Sequence, residues 1–426
     1  MYISLRKELV QRWLLKQYSN EAFFDLYNKW WEVFYIGMDP SADSLTIGNF
    51  AMFMTALQFM KRWNKLIFIV WGETWIIWDP GGRDSERNLQ TIEQFEYNFN
   101  KIDRQVKFLL KNIKEISGIN CEYTIKNNHD FYIDMSFTDF LRNIGKHITV
   151  NNMIKKETVA KRIEDPDKSI SYTEFSYMLI QWYDFVRLYQ DFDCKLQICW
   201  SDQRGNGVTW LELISKMLGK NDAYVMTSPL ILDSQWNKFG KSAGNAIWLS
   251  PEKNSPYFVY QYFLNTTDQD VGRFLKIYSL YTIEEIDQIQ QEHDLQPELR
   301  FWQKKLAHAV CQIVFGTTLA DQARDITEFL FADDKIGILK TMSITLKQNI
   351  AKEVWSIDLS SNANSNISII DALVDSWLTI SRGEAKKLIE QWWISIDWKQ
   401  VKDINFIVNK NNLIIQKGKK AMKIIL

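Results

Sequence analysis

Short apolar segments alternate with longer periodic segments over the first 230 residues of the chain. Alternation of this kind predicts a parallel sheet with covering helices, because parallel strands are joined by helical crossovers. The predicted strands are Val33–Ile36, Leu66–Val70 and Lys195–Cys199. The predicted helices are Asn49–Arg62, Thr91–Leu110, Tyr172–Tyr189 and Thr209–Met217.

The rest of the chain changes character twice. Strand patterns become sparse between Ser255 and Lys340, where helical periodicity predominates. Residues 359–368, LSSNANSNIS, are small and polar without an apolar period, which is typical of a linker. A C-terminal module with the basic end KGKKAMK follows. The domains are therefore predicted at residues 1–235, 236–254 (a loop and connector), 255–355, 356–369 (the linker) and 370–426.

Composition excludes several classes of protein. A net charge of -1 excludes a wholesale polycation, so any surface for nucleic acid must be local. The four cysteines include no CxxC pair and only four histidines are present, so no zinc spacing can be assembled. No apolar segment approaches the ~20 residues of a membrane span, and we expect no membrane association. A reduced, cytoplasmic protein with no protein-bound metal is the expectation.

Two separated segments have the features of phosphate-binding elements. The first leaves a predicted strand, turns at Asp39-Pro40 and enters a helix at Gly48-Asn49, where bare backbone amides can meet a phosphate. This feature alone is weak, because similar junctions occur without a ligand. The second is the loop Lys238-Phe-Gly-Lys-Ser242, whose two lysines could move onto a triphosphate. Together they suggest nucleotide chemistry on an α/β sheet.

Several motifs in the same order resemble those of the bacterial-type tyrosyl-tRNA synthetases, which are class I aminoacyl-tRNA synthetases. YIGMDPSADSLTIGN (35–49) resembles the family's strand and HIGH signature, KFGKS (238–242) its KMSKS loop, and WSDQRGN (200–206) its GSDQWGN. SPYFVYQYFLNTTDQDV and SRGEAKKLI resemble its helical anticodon-side domain and its alpha-L RNA-binding module. The resemblance implies an α/β fold: a Rossmann-like parallel-sheet catalytic domain, then an all-α domain and a small α+β RNA-binding module.

One predicted helix carries a candidate amino-acid site. Tyr177, Gln181 and Asp184 lie at i, i+4 and i+7, so they share one face, which could also be only the polar edge of an amphipathic helix. The resemblance implies that Tyr35 and Asp184 bind the phenolic hydroxyl of tyrosine. It implies that Tyr177, Gln181 and Asp79 hold the ammonium group. A site built for that hydroxyl rejects phenylalanine, because its own buried polar groups would be left unpaired.

The resemblance also implies an ATP site and a catalytic set. Its members contact the ammonium group, ribose, phosphates or the reacting acyl group: Asp39, Ser41, Thr46, Gly48, Asn49, Arg83, Arg87, Asp202, Gln203, Lys238 and Lys241. Arg83 and Arg87 could instead form a solvated charge group with Asp84 and Glu86. The expected reaction is attack of the tyrosine carboxylate on the α-phosphate, which needs positioning and charge stabilisation and no activated nucleophile.

One departure from the family concerns the two histidines of its HIGH signature, which are Thr46 and Asn49 here. Asn49 can still donate to a phosphate or ring oxygen, whereas the short hydroxyl of Thr46 falls short of the γ-phosphate. Slower activation is one expectation, and sharing of the contact by Ser41 and Thr46 through water is another. The implied substrates and partners are L-tyrosine, ATP with Mg²⁺, tRNA(Tyr) and a second copy of the chain in a homodimer.

Tryptophan occurs 18 times and glycine 17 times, which is unusual for both residues. Compared with the family, fifteen tryptophans occupy positions of glycine or another small residue: 13, 30, 31, 63, 71, 75, 78, 182, 200, 210, 236, 377, 392, 393 and 398. Glycine at all of them would bring its share to about 7.5%, near the ordinary ~7%. We therefore interpret these tryptophans as glycines encoded by UGA, whereas Trp248 matches a family tryptophan.

Two functions remain open at this point. Retention of the tyrosine and ATP residues favours a working tyrosine-tRNA ligase. If the tryptophans are real, indoles crowd the site, because a glycine that lets the backbone approach a ligand tolerates no large side chain. The alternative is a catalytically impaired RNA-binding paralogue. Lysines 410, 417, 419 and 420 then form part of a face that follows an RNA backbone, or only a solvated surface.

Overall fold

The computed structural model describes residues 3–29, 31–77, 91–156, 159–160, 163–165, 170–219, 222–232, 246–332, 334–342, 347, 350, 356–357, 366–409, 414–418 and 421–425. Contacts divide the chain into two compact units, Met1–Thr317 and Thr318–Leu426. The boundary falls inside the predicted helical domain, residues 255–355, and most of that segment belongs to the same unit as the sheet.

A six-stranded sheet forms the centre of the first unit. Its strands, in chain order, are β1 (Gln17–Tyr18), β2 (Val33–Met38), β3 (Lys65–Val70), β4 (Tyr123–Asn127), β5 (Cys194–Trp200) and β6 (Tyr224–Ser228). The spatial order is β1-β6-β5-β2-β3-β4, and every pairing is parallel except that of β1 with β6. The predicted parallel sheet is confirmed, and its three predicted strands are β2, β3 and β5.

Helices connect these strands and cover the sheet. They are α1 (Leu5–Gln11), α2 (Ala22–Asn28), α3 (Ile47–Met60), α4 (Gly72–Ile77), α5 (Ile92–Ser117), α6 (Phe137–Asn143), α7 (Val150–Ile154), α8 (Tyr172–Phe192) and α9 (Arg204–Leu218). Four more helices are described in the first unit: α10 (Pro256–Leu264), α11 (Asp268–Tyr278), α12 (Ile283–Leu295) and α13 (Phe301–Phe315). None of the helices in the described ranges is long and apolar enough to cross a membrane.

The second unit has its own small core, with Ile369, Leu373, Ala385 and Ile389 fully buried. Its helices are α14 (Thr317–Phe331), α15 (Lys335–Thr341), α16 (Ile369–Asp375) and α17 (Arg382–Glu390). Its strands are β7 (Ser356–Ile357), β8 (Asn366–Ser368), β9 (Ile394–Ile396), β10 (Lys399–Gln400), β11 (Ile407–Asn409), β12 (Ile414–Lys417) and β13 (Ala421–Ile425).

Part of the predicted linker is strand. β7 pairs with β13, and β8 pairs with β11, so both ends of residues 356–369 belong to sheets. The prediction of a linker is wrong for these residues, because small polar side chains can occupy strands whose pairing comes from distant segments. The remaining residues of that stretch, 358–365, lie outside the described ranges.

Six tryptophans adopt the left-handed backbone conformation. Positive φ occurs at nine described residues other than glycine, and six of these are Trp13, Trp31, Trp63, Trp377, Trp392 and Trp398. Left-handed geometry costs a residue with a β-carbon about 1–2 kcal/mol, and glycine is its usual occupant. All six belong to the fifteen positions that the sequence comparison assigned to glycine.

Candidate functional site

The C-terminal ends of the parallel strands bring several predicted site residues to one edge of the sheet, where ligands of open α/β sheets bind. Asp39 and Ser41 follow β2, and Asp202 and Gln203 follow β5 in a short 3₁₀ turn. Asp202 is exposed, and the other three are half-buried. Gly48 and Asn49, also half-buried, lie in the first turn of α3. The edge therefore offers carboxylates and a helix N-terminus, as the ATP assignment requires.

Helix α8 carries the three residues that were predicted to share one face. Tyr177 and Gln181 are each 6% exposed, and Asp184 is completely buried. Tyr35 on β2 is also buried, and its ring centroid lies 5.1 Å from that of Phe185 in the same helix. Burial raises the pKa of Tyr35, and the nearby Cys194 and Asp184 raise that pKa further. Tyr35 and Asp184 therefore lie close enough to interact across the sheet–helix interface.

Asp184 is the centre of a buried hydrogen-bond network. Tyr132 Oη lies 2.8 Å from Asp184 Oδ1, and Asn128 Nδ2 donates to Asp184 Oδ2 at 3.0 Å. Asn128 Nδ2 also donates to Thr74 Oγ1 at 3.1 Å. Burial raises the pKa of Asp184 to about 7, although the hydrogen bonds from Tyr132 and Asn128 oppose the rise. A carboxyl group kept this far from water is poised to recognise one polar group of a ligand.

The residues at the two histidine positions of the HIGH signature bond to each other. Thr46 is the N-cap of α3, and its Oγ1 accepts from the Asn49 backbone amide at 3.4 Å. Asn49 Oδ1 accepts from the Thr46 backbone amide at 2.9 Å and from its hydroxyl at 2.8 Å. This capping box stabilises the start of the helix. Thr46 is only 6% exposed. Its hydroxyl can therefore contact a phosphate only if the hydrogen bonds between Thr46 and Asn49 break.

Trp71 lies against the backbone of the site. It follows β3, its backbone amide donates to the carbonyl of Met38, and its ring covers Gly37. A β-carbon placed on Gly37 would clash with Cζ2 of this indole. The indole Nε1 is buried and has no hydrogen-bond partner among the described residues. A bulky ring thus occupies space beside Tyr35 and Asp39, where the resemblance requires a glycine.

Five predicted site residues lie outside the described ranges: Asp79, Arg83, Arg87, Lys238 and Lys241. Their assignments therefore stay predictions. Sequence reasoning did not identify Asn128 and Tyr132, which bond to Asp184, or Thr74, which accepts a hydrogen bond from Asn128. Asn128 and Tyr132 belong to a 3₁₀ turn and its cap after β4, a strand that was not predicted. No local periodicity marks this turn, so no signal in the sequence was overlooked.

The fold agrees with the comparison to known proteins. Residues 32–332 match the family described as tRNA synthetases class I (W and Y). The match covers most of the chain, which therefore belongs to this family of class I aminoacyl-tRNA synthetases. Its members are ligases that use ATP, an amino acid and tRNA.

Among the solved structures, two similar ones are fungal mitochondrial tyrosyl-tRNA synthetases, both C-terminally truncated. The protein from Aspergillus nidulans has a TM-score of 0.69 at 25% identity, covering 78% of this chain and 95% of its own. The protein from Coccidioides posadasii has a TM-score of 0.68 at 25% identity, covering 76% of this chain and 92% of its own. A tyrosyl-tRNA synthetase from Archaeoglobus fulgidus, at 15% identity and a TM-score of 0.50 over 75% and 99% of the two chains, shares the fold.

Proposed function

We propose that the chain is a tyrosine-tRNA ligase. It activates L-tyrosine with ATP and Mg²⁺ to tyrosyl-adenylate and transfers the tyrosyl group to the terminal adenosine of tRNA(Tyr). The observation that carries the proposal is the fully buried Asp184 close to the buried hydroxyl of Tyr35. A carboxyl group that accepts and a phenol that donates suit a substrate hydroxyl, which both donates and accepts, whereas an indole N–H only donates. The similarity to two tyrosyl enzymes supports the same choice within the family.

The proposed chemistry depends on positioning and charge. The tyrosine carboxylate attacks the α-phosphate of ATP, and pyrophosphate leaves with its negative charge stabilised by Lys238, Lys241, Arg83 and Arg87. Asp39, Asp202 and the start of α3 hold the amino group, ribose and phosphates at the edge of the sheet. The terminal hydroxyl of the tRNA then takes the tyrosyl group and releases AMP.

Amino-acid-dependent exchange of pyrophosphate into ATP tests the function. We expect exchange with tyrosine and little with phenylalanine or tryptophan. Asp184→Ala should lose the discrimination between tyrosine and phenylalanine while the KM for ATP stays unchanged, because its partner is the phenol. Exchange with tryptophan alone would contradict the tyrosine assignment. Absence of exchange with every amino acid, combined with tRNA binding, would favour the impaired RNA-binding paralogue.

We further propose that the source of this chain reads UGA as glycine. Four of the left-handed tryptophans, Trp13, Trp63, Trp377 and Trp392, follow helices in the Schellman motif, where glycine is the usual residue. At the first of them, the amide of Trp13 donates to the carbonyl of Val10 at 3.1 Å, and that of Leu14 to Leu9 at 2.9 Å. These tryptophans occupy the backbone geometry of glycines.

A hairpin supports the same interpretation. Asp397 and Trp398 form the two-residue connection between β9 and β10, with φ of 49° and 67°. Positive φ at both central residues is typical of the type I′ turn, for which Asp-Gly is a preferred pair. The active-site contact of Trp71 with Gly37 is a further case, because a glycine there would leave room for a ligand.

The coding sequence and the natural protein test the recoding. We expect UGA codons at positions 13, 63, 71, 377, 392 and 398, and glycine there by peptide mass spectrometry. Trp248 is the matched control, because Asn254 accepts from its backbone amide and Lys253 lies 5.3 Å from its ring centroid, in an ordinary backbone conformation. UGG codons at every one of these positions would refute the proposal.

Three finer assignments are part of the same proposal: membership of the bacterial-type subgroup, a cytoplasmic location and a homodimer. Apolar side chains exposed on and near α6 and α7 support the homodimer. Ile133, Phe137 and Val150 are 64%, 68% and 59% exposed. Exposed apolar side chains grouped in this way are typical of a protein–protein contact.

A further inference from the structure

Asp184 already has a phenol of the protein itself as its neighbour. Tyr132 Oη lies 2.8 Å from Asp184 Oδ1 and 2.8 Å from the carbonyl oxygen of Ile180. Tyr132 is 9% exposed, and burial, followed by the effect of Asp184, raises its pKa, so the hydroxyl keeps its proton. One hydroxyl therefore bridges the backbone of α8 and the carboxyl group one turn further along the same helix.

The other carboxylate oxygen is held from a second direction. Asn128 donates to Oδ2, and its own orientation is fixed because its Oδ1 accepts from the backbone amide of Glu73 at 2.8 Å. Two neutral donors from one turn of the chain thus clamp the two oxygens of Asp184. Each oxygen can accept a second hydrogen bond, so the clamp leaves the carboxyl group able to receive a ligand hydroxyl.

Tyr132 also separates Asp184 from a neighbouring cavity of about 410 Å³. Glu73, Tyr132, Ser176 and Ile180 are among the residues that line this cavity. Tyr132 therefore has two contacts of different kinds: its hydroxyl bonds to the buried carboxyl group, and its ring forms part of the wall of an open space. Loss of the hydroxyl would free the carboxyl group to turn away from its present orientation.

We infer that Tyr132 is a positioning residue that sets the specificity for tyrosine, by holding Asp184 in the orientation that receives the substrate's phenolic hydroxyl. The inference rests on the proposed function. Phenylalanine makes no use of Asp184, so the contribution of Tyr132 must differ between the two amino acids. A structural role alone would affect both amino acids alike.

Pyrophosphate exchange by the full-length chain carrying Tyr132→Phe tests the inference. We expect the KM for tyrosine to rise about tenfold, the usual order for a lost hydrogen bond to a charged group, with the KM for ATP unchanged. Exchange with phenylalanine should stay the same, so the ratio of kcat/KM for tyrosine over phenylalanine falls by the same factor. Tyr132→Met fills the space of the ring without a donor and should give the same fall if Tyr132→Phe folds poorly.

Tyr183→Phe is the matched control. Tyr183 is buried to the same degree, its ring centroid lies 6.0 Å from that of Tyr132, and its hydroxyl interacts with Arg187 and not with Asp184. This variant should keep the wild-type ratio. An unchanged ratio in both Tyr132 variants, with a wild type that activates tyrosine selectively, would overturn the inference alone. A wild type that does not activate tyrosine would overturn the proposed function and this inference with it.

Discussion

At the scale of single residues, the burial of Asp184 links stability to pH. Its pKa, raised by burial to about 7, exceeds the usual 3.8, so between these values the folded chain holds a proton that the unfolded chain releases. The contribution of the protonated Asp184 to the stability of the fold is therefore fully present below pH 4 and is lost as the pH rises through 7. The group that recognises substrate in our proposal thus lowers the stability of the fold at neutral pH.

Asp184→Asn should remove this dependence. The amide can donate to Tyr132 and accept from Asn128, as the protonated acid does. Between pH 5 and pH 8, the free energy of unfolding of the wild type should fall by about 3 kcal/mol relative to the variant. Urea unfolding at the two pH values measures this difference, and tyrosine activation should be lost in the variant. If the free energies of unfolding of the wild type and the variant changed equally with pH, the carboxyl group of Asp184 would be ionised over the whole range.

At the scale of elements, helices α1 and α3 are joined by a buried group of charges. Glu8 on α1 bonds to Arg62 at 2.9 Å, Arg12 at 3.3 Å and Lys61 at 3.4 Å. Arg12 in turn donates to the carbonyl of Lys276 at 3.0 Å, which ties α1 to α11. Burial alone would raise the pKa of Glu8, but Lys61, Arg62 and Arg12 outweigh it and lower that pKa.

Glu8→Gln should therefore be strongly destabilising, because it leaves three buried cations without their anion. We expect a loss of about 3 kcal/mol at pH 7. Since the folded pKa of Glu8 is depressed, this stabilisation is present above pH 4.5 and is lost as the pH falls through the folded pKa. Glu21→Gln, which breaks an exposed pair with Arg6, is the control and should cost less than about 1 kcal/mol. Urea unfolding measures both variants, and equal losses of the free energy of unfolding in Glu8→Gln and Glu21→Gln would contradict this account.

The end of α16 provides a test of backbone geometry. Trp377 has φ of 59° and is 78% exposed, so it loses little contact when replaced. Trp377→Gly should raise the free energy of unfolding by about 1 kcal/mol, because glycine adopts this conformation without strain. Ser376→Gly, one residue earlier at φ -81°, should lower it. Thermal unfolding measures both, and a destabilised Trp377→Gly would show that the indole contributes contacts of its own.

At the scale of the whole molecule, the proposed homodimer depends on the apolar surface around α6. Phe137→Asp places a charge on that surface at an exposed residue, which lines the same cavity as the ring of Tyr132 but is not a member of the hydrogen-bond network of Asp184. We expect the wild type to sediment as a dimer at micromolar concentration and the variant as a monomer. Thr138→Asp, at the neighbouring exposed position of α6, should remain dimeric. A monomeric wild type would contradict the homodimer.

The division of the chain into units guides a truncation. Deletion from residue 370 would leave β7 and β8 without their partners β13 and β11, so the chain should instead end after α15, at Met342. The truncated chain should keep tyrosine-dependent pyrophosphate exchange and lose most of its charging of tRNA, because the resemblance implies that the C-terminal module binds RNA. Aminoacylation and exchange assays on the same preparation separate the two effects, and loss of exchange would contradict this division of labour.

Local chemistry was sufficient to determine much of this protein from its sequence. The short apolar segments of β2, β3 and β5 were recognised as strands from their local sequence. The spacing of Tyr177, Gln181 and Asp184 places these residues on one face of a helix, whatever packs against that helix. The comparison with the family likewise assigned fifteen tryptophans to positions of small residues, and all six tryptophans with a left-handed backbone are among them.

Only the tertiary structure decided what surrounds these residues. Asn128 and Tyr132 meet Asp184 across more than 50 intervening residues, and β7 and β8 find their partners far along the chain. Periodicity reports which face of an element is buried, but it carries no information about which distant group lies opposite. The capping box of Thr46 and Asn49 joins residues close in sequence, but it was recognised only from the positions of the two side chains in the structure. Contacts of this kind are fixed by packing, because a buried polar group takes whichever partner the fold brings to it.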